Sequence, residues 1–148
     1  RPASAHLQLP PTNCQLLQAD MLALPFAGAS FTAVTTGYGL RNVPDLPGAI
    51  REIHRVLKPG GRMLSLDFNR PANRALRTTY LAYLTAVGSL FGFLLHRDAD
   101  TYRYIPESIR NYPGAEGVKR LLADNGFVEV RVILLLGGLM AIHTATKR

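Results

Sequence analysis

Leu46, Ile50, Ile53 and Leu57 recur at spacings of three and four residues, which places them on one face of a helix. Asp45 can cap that helix, and Pro47 is tolerated in its first turn. The KPGG stretch at 58–61 stops it, because proline cannot continue the ladder and glycine turns freely. The spacing therefore predicts a helix over Asp45–Lys58. Two strands flank it: the β-branched, apolar run FTAVTTG (Phe31–Gly37) and RMLSLDF (Arg62–Phe68). Strands joined by a helix of this length favour a parallel pair with a right-handed crossover.

The pattern elsewhere is less regular. The opening RPASAHLQLPPTN, residues 1–13, is proline-rich and without period, and reads as loop or linker. CQLLQAD (Cys14–Asp20) has strand length and ends on an acid, and the next ten residues form a loop broken by Pro25 and Gly28. From Ala72 to about Leu95 a helical pattern runs through Leu76, Tyr80, Tyr83, Val87, Leu90 and Leu94. Its most apolar part, Leu81–Leu95, is 15 residues long. That is short of the ~20 needed to cross a bilayer, so a pocket wall or a membrane-grazing helix is expected. Charges, aromatics and Pro106 break the pattern, and a short helix precedes the turn at Pro113-Gly114. AEGVKRLLADNG is a helix stopped by Gly126. The last stretch, FVEVRVILLLGGLMAIHTATK, forms two strands hinged at Gly137-Gly138.

Composition narrows the class. With 148 residues and 47% hydrophobic positions the chain can bury one domain's core. The net charge of +7 rests on 14 Arg and 3 Lys scattered along the chain, more a solvated basic face than a dedicated nucleic-acid surface. The single Cys14 fits a reducing compartment, and no recognisable signal peptide opens the sequence. His6, His54, His96 and His143 are too dispersed for a metal site. His54 reads as surface or packing. His96, beside Asp98 and Asp100, stays open between plain surface and proton transfer.

Ligands of open α/β sheets bind beyond the carboxyl ends of the strands. Three such ends carry polar or flexible residues: Asp20, Gly37 to Asn42, and Asp67 to Arg70. Arg41 and Asn42 place a fork of donors there, suited to an anionic or oxygen-rich ligand. DADTYRY (Asp98–Tyr104) is either a polar loop with aromatic packing or a lid over an apolar pocket.

Together ADMLALPF, GYGLRNVPD, EIHRVLKPGGRMLSLDF, DADTYRYIPESIRNYP, LLADNGF and LGGLMAIH resemble the ubiquinone/menaquinone biosynthesis C-methyltransferase family, in order from about Cys14 to the C-terminus. The resemblance implies a class I methyltransferase fold: an α/β, Rossmann-like sheet with helices on both faces and an antiparallel C-terminal strand. The family's first strands, with their Gly-rich cofactor loop, are missing from the sequence. Residues 1–148 would then be the C-terminal two-thirds of one domain, with a substrate-binding helical insertion at 72–112. The implied cofactor is S-adenosylmethionine, contacted by Asp20, Met21 and Gly37. Arg41 and Asn42 would serve the reacting oxygen as catalytic residues, Tyr102 and Arg103 would bind substrate, and no metal is implied.

The implied reaction is C-methylation of a reduced, prenylated quinone, with demethylmenaquinol first. A ubiquinone precursor, a phytyl naphthoquinol or a sterol is the alternative substrate, and a non-catalytic fragment is the alternative role. The implied setting is a cytoplasmic protein on a membrane surface, organellar if eukaryotic. No nucleic-acid partner is expected, and a homodimer or a quinone-synthesis complex is compatible with the reading.

Overall fold

The computed structural model describes residues 14–148; the loop expected at 1–13 lies outside them. Strand β1 (Phe31–Gly37) leads through a 3-10 turn at Leu40–Asn42 to helix α1 (Leu46–Val56) and strand β2 (Leu57–Phe68). Helices α2 (Arg74–His96), α3 (Tyr104–Asn111) and α4 (Gly114–Asp124) follow, then strands β3 (Phe127–Leu135) and β4 (Met140–Lys147). The sheet order is β1-β2-β4-β3, with β1 parallel to β2 and the other two pairs antiparallel. This is the α/β sheet with an antiparallel C-terminal strand that the resemblance implied.

The α1 cap is as expected: Asp45 accepts a hydrogen bond from the Gly48 amide at 2.9 Å. The helix stops at Val56 rather than Lys58, because Leu57 is already extended (φ −72°, ψ 141°). Pro59 also disfavours a helical Lys58. The chain between Leu57 and Arg62 bulges out of register, since Phe31 pairs with Leu57 but Ala33 with Arg62. Gly60 takes a positive φ of 74° inside that bulge.

The strand expected at Cys14–Asp20 is not formed. These residues are exposed coil, Leu16 at 87%, with one isolated bridge between Asp20 and Ala23. A strand is stable only on a neighbour's hydrogen-bonding edge, and no described strand lies beside it.

Ile50 and Ile53 of α1 meet Val118 and Leu122 of α4 over Met63 and Ala145 of the sheet, forming the main core. The opposite face, carrying Leu64 and Ile133, has no helix over it among the described residues and is exposed. A second, smaller cluster joins Tyr80 and Leu81 of α2 to Ile109 of α3 and to Phe68 at the end of β2. Helices α2 and α3 are thereby seated on the carboxyl end of β2. Helix α2 has 23 residues, long and apolar enough by length and composition to cross a membrane.

Candidate functional site

The loop after β1 is built around one strained residue. Tyr38 holds φ at +56°, a left-handed conformation that costs a non-glycine residue roughly 1 kcal/mol. It turns its carbonyl toward the following 3-10 turn, where it accepts hydrogen bonds from Arg41 Nη1 at 2.9 Å and Asn42 Nδ2 at 3.1 Å. Leu40, 1% exposed, anchors the turn in the main core.

Arg41 is not the exposed fork that its loop position suggests. Its side chain is 4% exposed and ion-paired at 2.9 Å with Asp67, itself 2% exposed. Asp67 holds the arginine twice, through Nη1 and through the Arg41 backbone amide at 3.2 Å. Nε donates to Ser108 Oγ at 3.2 Å, and the guanidinium carbon lies 5.0 Å from the Phe68 ring centroid. Nη2 has no protein acceptor among the described residues. Two tyrosines flank the group. Burial raises the Tyr112 phenol, Asp67 adds to the rise, and Arg41 offsets part of it. Burial raises Tyr80 likewise, again offset by Arg41. The Tyr112 hydroxyl is buried without a hydrogen-bond partner. The site therefore contains one cation locked from three sides, with one nitrogen uncommitted and two neutral phenols beside it.

The other expected residues are dispersed. Asp20 is exposed, and its Oδ1 caps the Leu22 amide at 2.9 Å. Met21 is half-buried against the main core. Gly37 ends β1 beside open space, with no atom within 4 Å of where a Cβ would stand. A cavity of about 370 Å³ touches Arg41 together with Pro44, Leu46, Tyr112 and Leu121, but neither Asp20 nor Gly37 lines it. Asn42 is exposed, and among the described residues its side chain bonds only to the Tyr38 carbonyl.

Tyr102 and Arg103 part company. Tyr102 lines an apolar hollow of about 320 Å³ with Leu84, Val87, Phe91, Leu95 and Ile105. Its hydroxyl lies 3.1 Å from His96 Nε2. Arg103 instead points to the surface, 61% exposed, where Asp100 and Glu107 take its donors at 3.3 and 3.1 Å. The donor expected over the pocket is thus occupied elsewhere. His54 is a packing residue, edge-on to Phe127 with ring centroids 5.0 Å apart.

The sequence pattern missed Ser108, Tyr80 and Tyr112 as members of the arginine cluster. Helical periodicity marked Tyr80 only as a core position, and nothing in the spacing links Ser108 to a residue 67 positions earlier.

The model of the ubiE/COQ5 methyltransferase family matches residues 6–147. A ubiquinone/menaquinone biosynthesis C-methyltransferase UbiE of Teredinibacter turnerae is 42% identical over 135 residues, 91% of this chain and 54% of that protein. The protein of the same name in Ectopseudomonas mendocina is 44% identical, over 91% of this chain and 53% of its own length. The chain thus spans about half the length of the curated relatives it matches. Among solved structures, it resembles a methyltransferase of Thermotoga maritima described as a possible histamine N-methyltransferase, with a TM-score of 0.61 at 18% identity, covering 89% of this chain and 63% of that one. The CurJ carbon methyltransferase superposes with a TM-score of 0.58 at 14% identity over 86% of this chain and 33% of its own.

Proposed function

The chain belongs to the ubiE/COQ5 methyltransferase family, and from that premise we propose that the whole protein methylates a ring carbon of a reduced, prenylated quinone. Demethylmenaquinol is the first choice of substrate, because Gly37–Asn42 and Leu66–Pro71 resemble the naphthoquinone side of the family. A ubiquinone precursor is the second.

The observation that carries this reading is the immobilised guanidinium of Arg41, with Nη2 left over. A neutral quinol carbon is a weak nucleophile; losing a ring hydroxyl proton moves electron density onto it. Arg41 cannot take that proton, since a guanidinium already holds its own and stays charged up to roughly pH 12. It acts instead as a preorganised donor to the forming phenolate, its orientation fixed beforehand by Asp67, Tyr38 and Ser108. Water carries the proton away. Asn42 steadies the Tyr38 carbonyl and, through its remaining amide hydrogen, the same substrate oxygen.

S-adenosylmethionine supplies an electrophilic methyl group when bound. The described residues fit one end of it: the exposed Asp20 carboxylate suits the adenine amino group, with Met21 beside it, and the open backbone at Gly37 admits close approach. The hollow at Tyr102 is apolar and suits the first units of a prenyl tail. A tail of that kind keeps the substrate in a bilayer, so the protein works at a membrane surface, on its cytoplasmic face.

Methyl-labelled S-adenosylmethionine offered to the full-length protein with reduced demethylmenaquinone and with a demethylated ubiquinol precursor tests the choice. Label is expected mainly in the naphthoquinol. Label confined to the benzoquinol would reverse the substrate order, and none in either would overturn the reading. One observation favours a second reading, in which the 148-residue chain alone is non-catalytic: neither Asp20 nor Gly37 lines the cavity at Arg41. Calorimetric titration of the folded chain with S-adenosylmethionine decides, heat of binding opposing it.

A further inference from the structure

Helix α2 is apolar on more of its circumference than its packing uses. Tyr80 and Leu81 face the smaller core cluster, and Gly88 and Gly92 seat the helix against Tyr102 and the Asp98 carbonyl. Beside that buried stripe, Leu76, Tyr83, Leu90 and Leu94 follow one another at steps of seven, seven and four, which aligns them along the helix. They are 39%, 60%, 56% and 63% exposed. From Leu76 to Leu94 this ridge is roughly 27 Å long. At its N-terminal end it meets the end of β3, where Leu134 lines a cavity of about 370 Å³ with Leu76.

That end is also basic. Arg70 and Arg77 line the same cavity, and Arg74 opens the helix. None of the three has a carboxylate within ion-pair distance among the described residues. The first turn of α2 carries no acid, and α2 contains no Asp or Glu along its length. Arginines there add to the positive end of the helix dipole instead of offsetting it. An exposed apolar ridge with an unneutralised basic end is the composition of a helix that lies in a bilayer interface.

We infer that the Leu76–Leu94 ridge of α2 is a docking surface for an anionic bilayer, with the ridge entering the headgroup region and Arg70, Arg74 and Arg77 held by phospholipid phosphates. It rests on the reading of a membrane-borne substrate and adds the surface, orientation and lipid chemistry of the contact. The helix lies flat and does not span, because Tyr80, Leu81, Gly88 and Gly92 hold its other side on the protein. The apolar hollow at Tyr102 is bounded by the neighbouring Val87, Phe91 and Leu95, so a tail leaving the bilayer at the ridge has a short path into it.

The test is co-sedimentation of the full-length protein with phosphatidylcholine vesicles, with and without 30 mol% phosphatidylglycerol, at low and high salt. The parent protein is expected to sediment at least tenfold more with the anionic vesicles. Arg74→Glu with Arg77→Glu should remove that preference, and Leu90→Asp with Leu94→Asp should remove the binding that persists in salt. Both variants should keep the parent's thermal midpoint and its turnover of a short-tailed, water-soluble quinol. Binding unchanged in both pairs would overturn the inference. So would a folded parent that binds no vesicles, even with full turnover. A midpoint lowered by Leu90→Asp with Leu94→Asp would show the ridge covered by the protein's own chain, and a dimer dissociated by them would show a subunit interface; either overturns it. Loss of turnover on the soluble quinol by the parent itself would instead strike the proposed reaction and leave the vesicle result standing.

Discussion

Replacing Asp67 by asparagine keeps the side chain's shape and removes its charge. The aspartate and Arg41 are 2% and 4% exposed, so water cannot take over for either partner. Breaking a desolvated pair by neutralising one member costs about 3 to 5 kcal/mol, because the other charge stays buried alone. The asparagine can still accept from Arg41 Nη1 and from the Phe68 amide, both bonded to Oδ1. Its amide nitrogen then faces the Arg41 backbone amide, 3.2 Å away, donor against donor. The lower half of the range is therefore expected, about 3 kcal/mol, or roughly 10 °C in thermal midpoint for a domain of this size class. Urea denaturation of the full-length protein, parent against Asp67→Asn, reads the loss directly. Combining it with Arg41→Gln should recover more than about 1 kcal/mol of the summed single losses, since the two side chains share one interaction. A loss below about 1 kcal/mol for Asp67→Asn, or strict additivity, would show that the pair is solvated and does not fix the guanidinium.

Two further outcomes follow from the same structure. Gly92→Ala places a Cβ 2.5 Å from the Asp98 carbonyl oxygen, so the end of α2 must shift; about 1 to 3 kcal/mol should be lost, against about 1 for Gly137→Ala, where open space leaves only the cost of φ +67°. Burial holds the His143 imidazole below its ordinary value, with the Ala115 carbonyl, Glu116 and Asp67 opposing that shift. The unfolded chain therefore takes up the proton first, so this contribution is complete above about pH 6.5 and is lost as pH falls through the depressed folded value. His54 moves the same way, by burial and then by Lys147. Urea midpoints between pH 7.5 and pH 5 should fall, less steeply in His143→Gln.

The β1-α1-β2 unit and the terminal hairpin were legible because each depends on local signals: an N-cap at Asp45, a three-four apolar spacing, and two glycines between alternating runs. The Cys14–Asp20 segment had strand length and still lacks strand structure, because length cannot supply a neighbouring edge. The environment of Arg41 was hidden for a related reason. Its partner Asp67 is 26 positions away and Ser108 is 67 away, so only the fold brings them together. In α2 the apolar positions wrap so far round the helix that periodicity could not separate the buried Tyr80 and Leu81 from the exposed Leu90 and Leu94. His143 gives no sign in sequence of being buried, yet it stands inside β4 with Nε2 2.9 Å from the Ala115 carbonyl.

The most direct test of the account is turnover by the full-length protein carrying Arg41→Lys, measured with saturating S-adenosylmethionine and its affinity determined alongside. Lysine keeps the positive charge but cannot reproduce the fork that meets Asp67, Tyr38 and Ser108 while leaving one nitrogen for substrate. The account predicts kcat reduced by about 10²-fold or more, the scale of removing one preorganised donor, with cofactor affinity unchanged within about twofold. A folded Arg41→Lys protein that turns over at the parent's rate would contradict it.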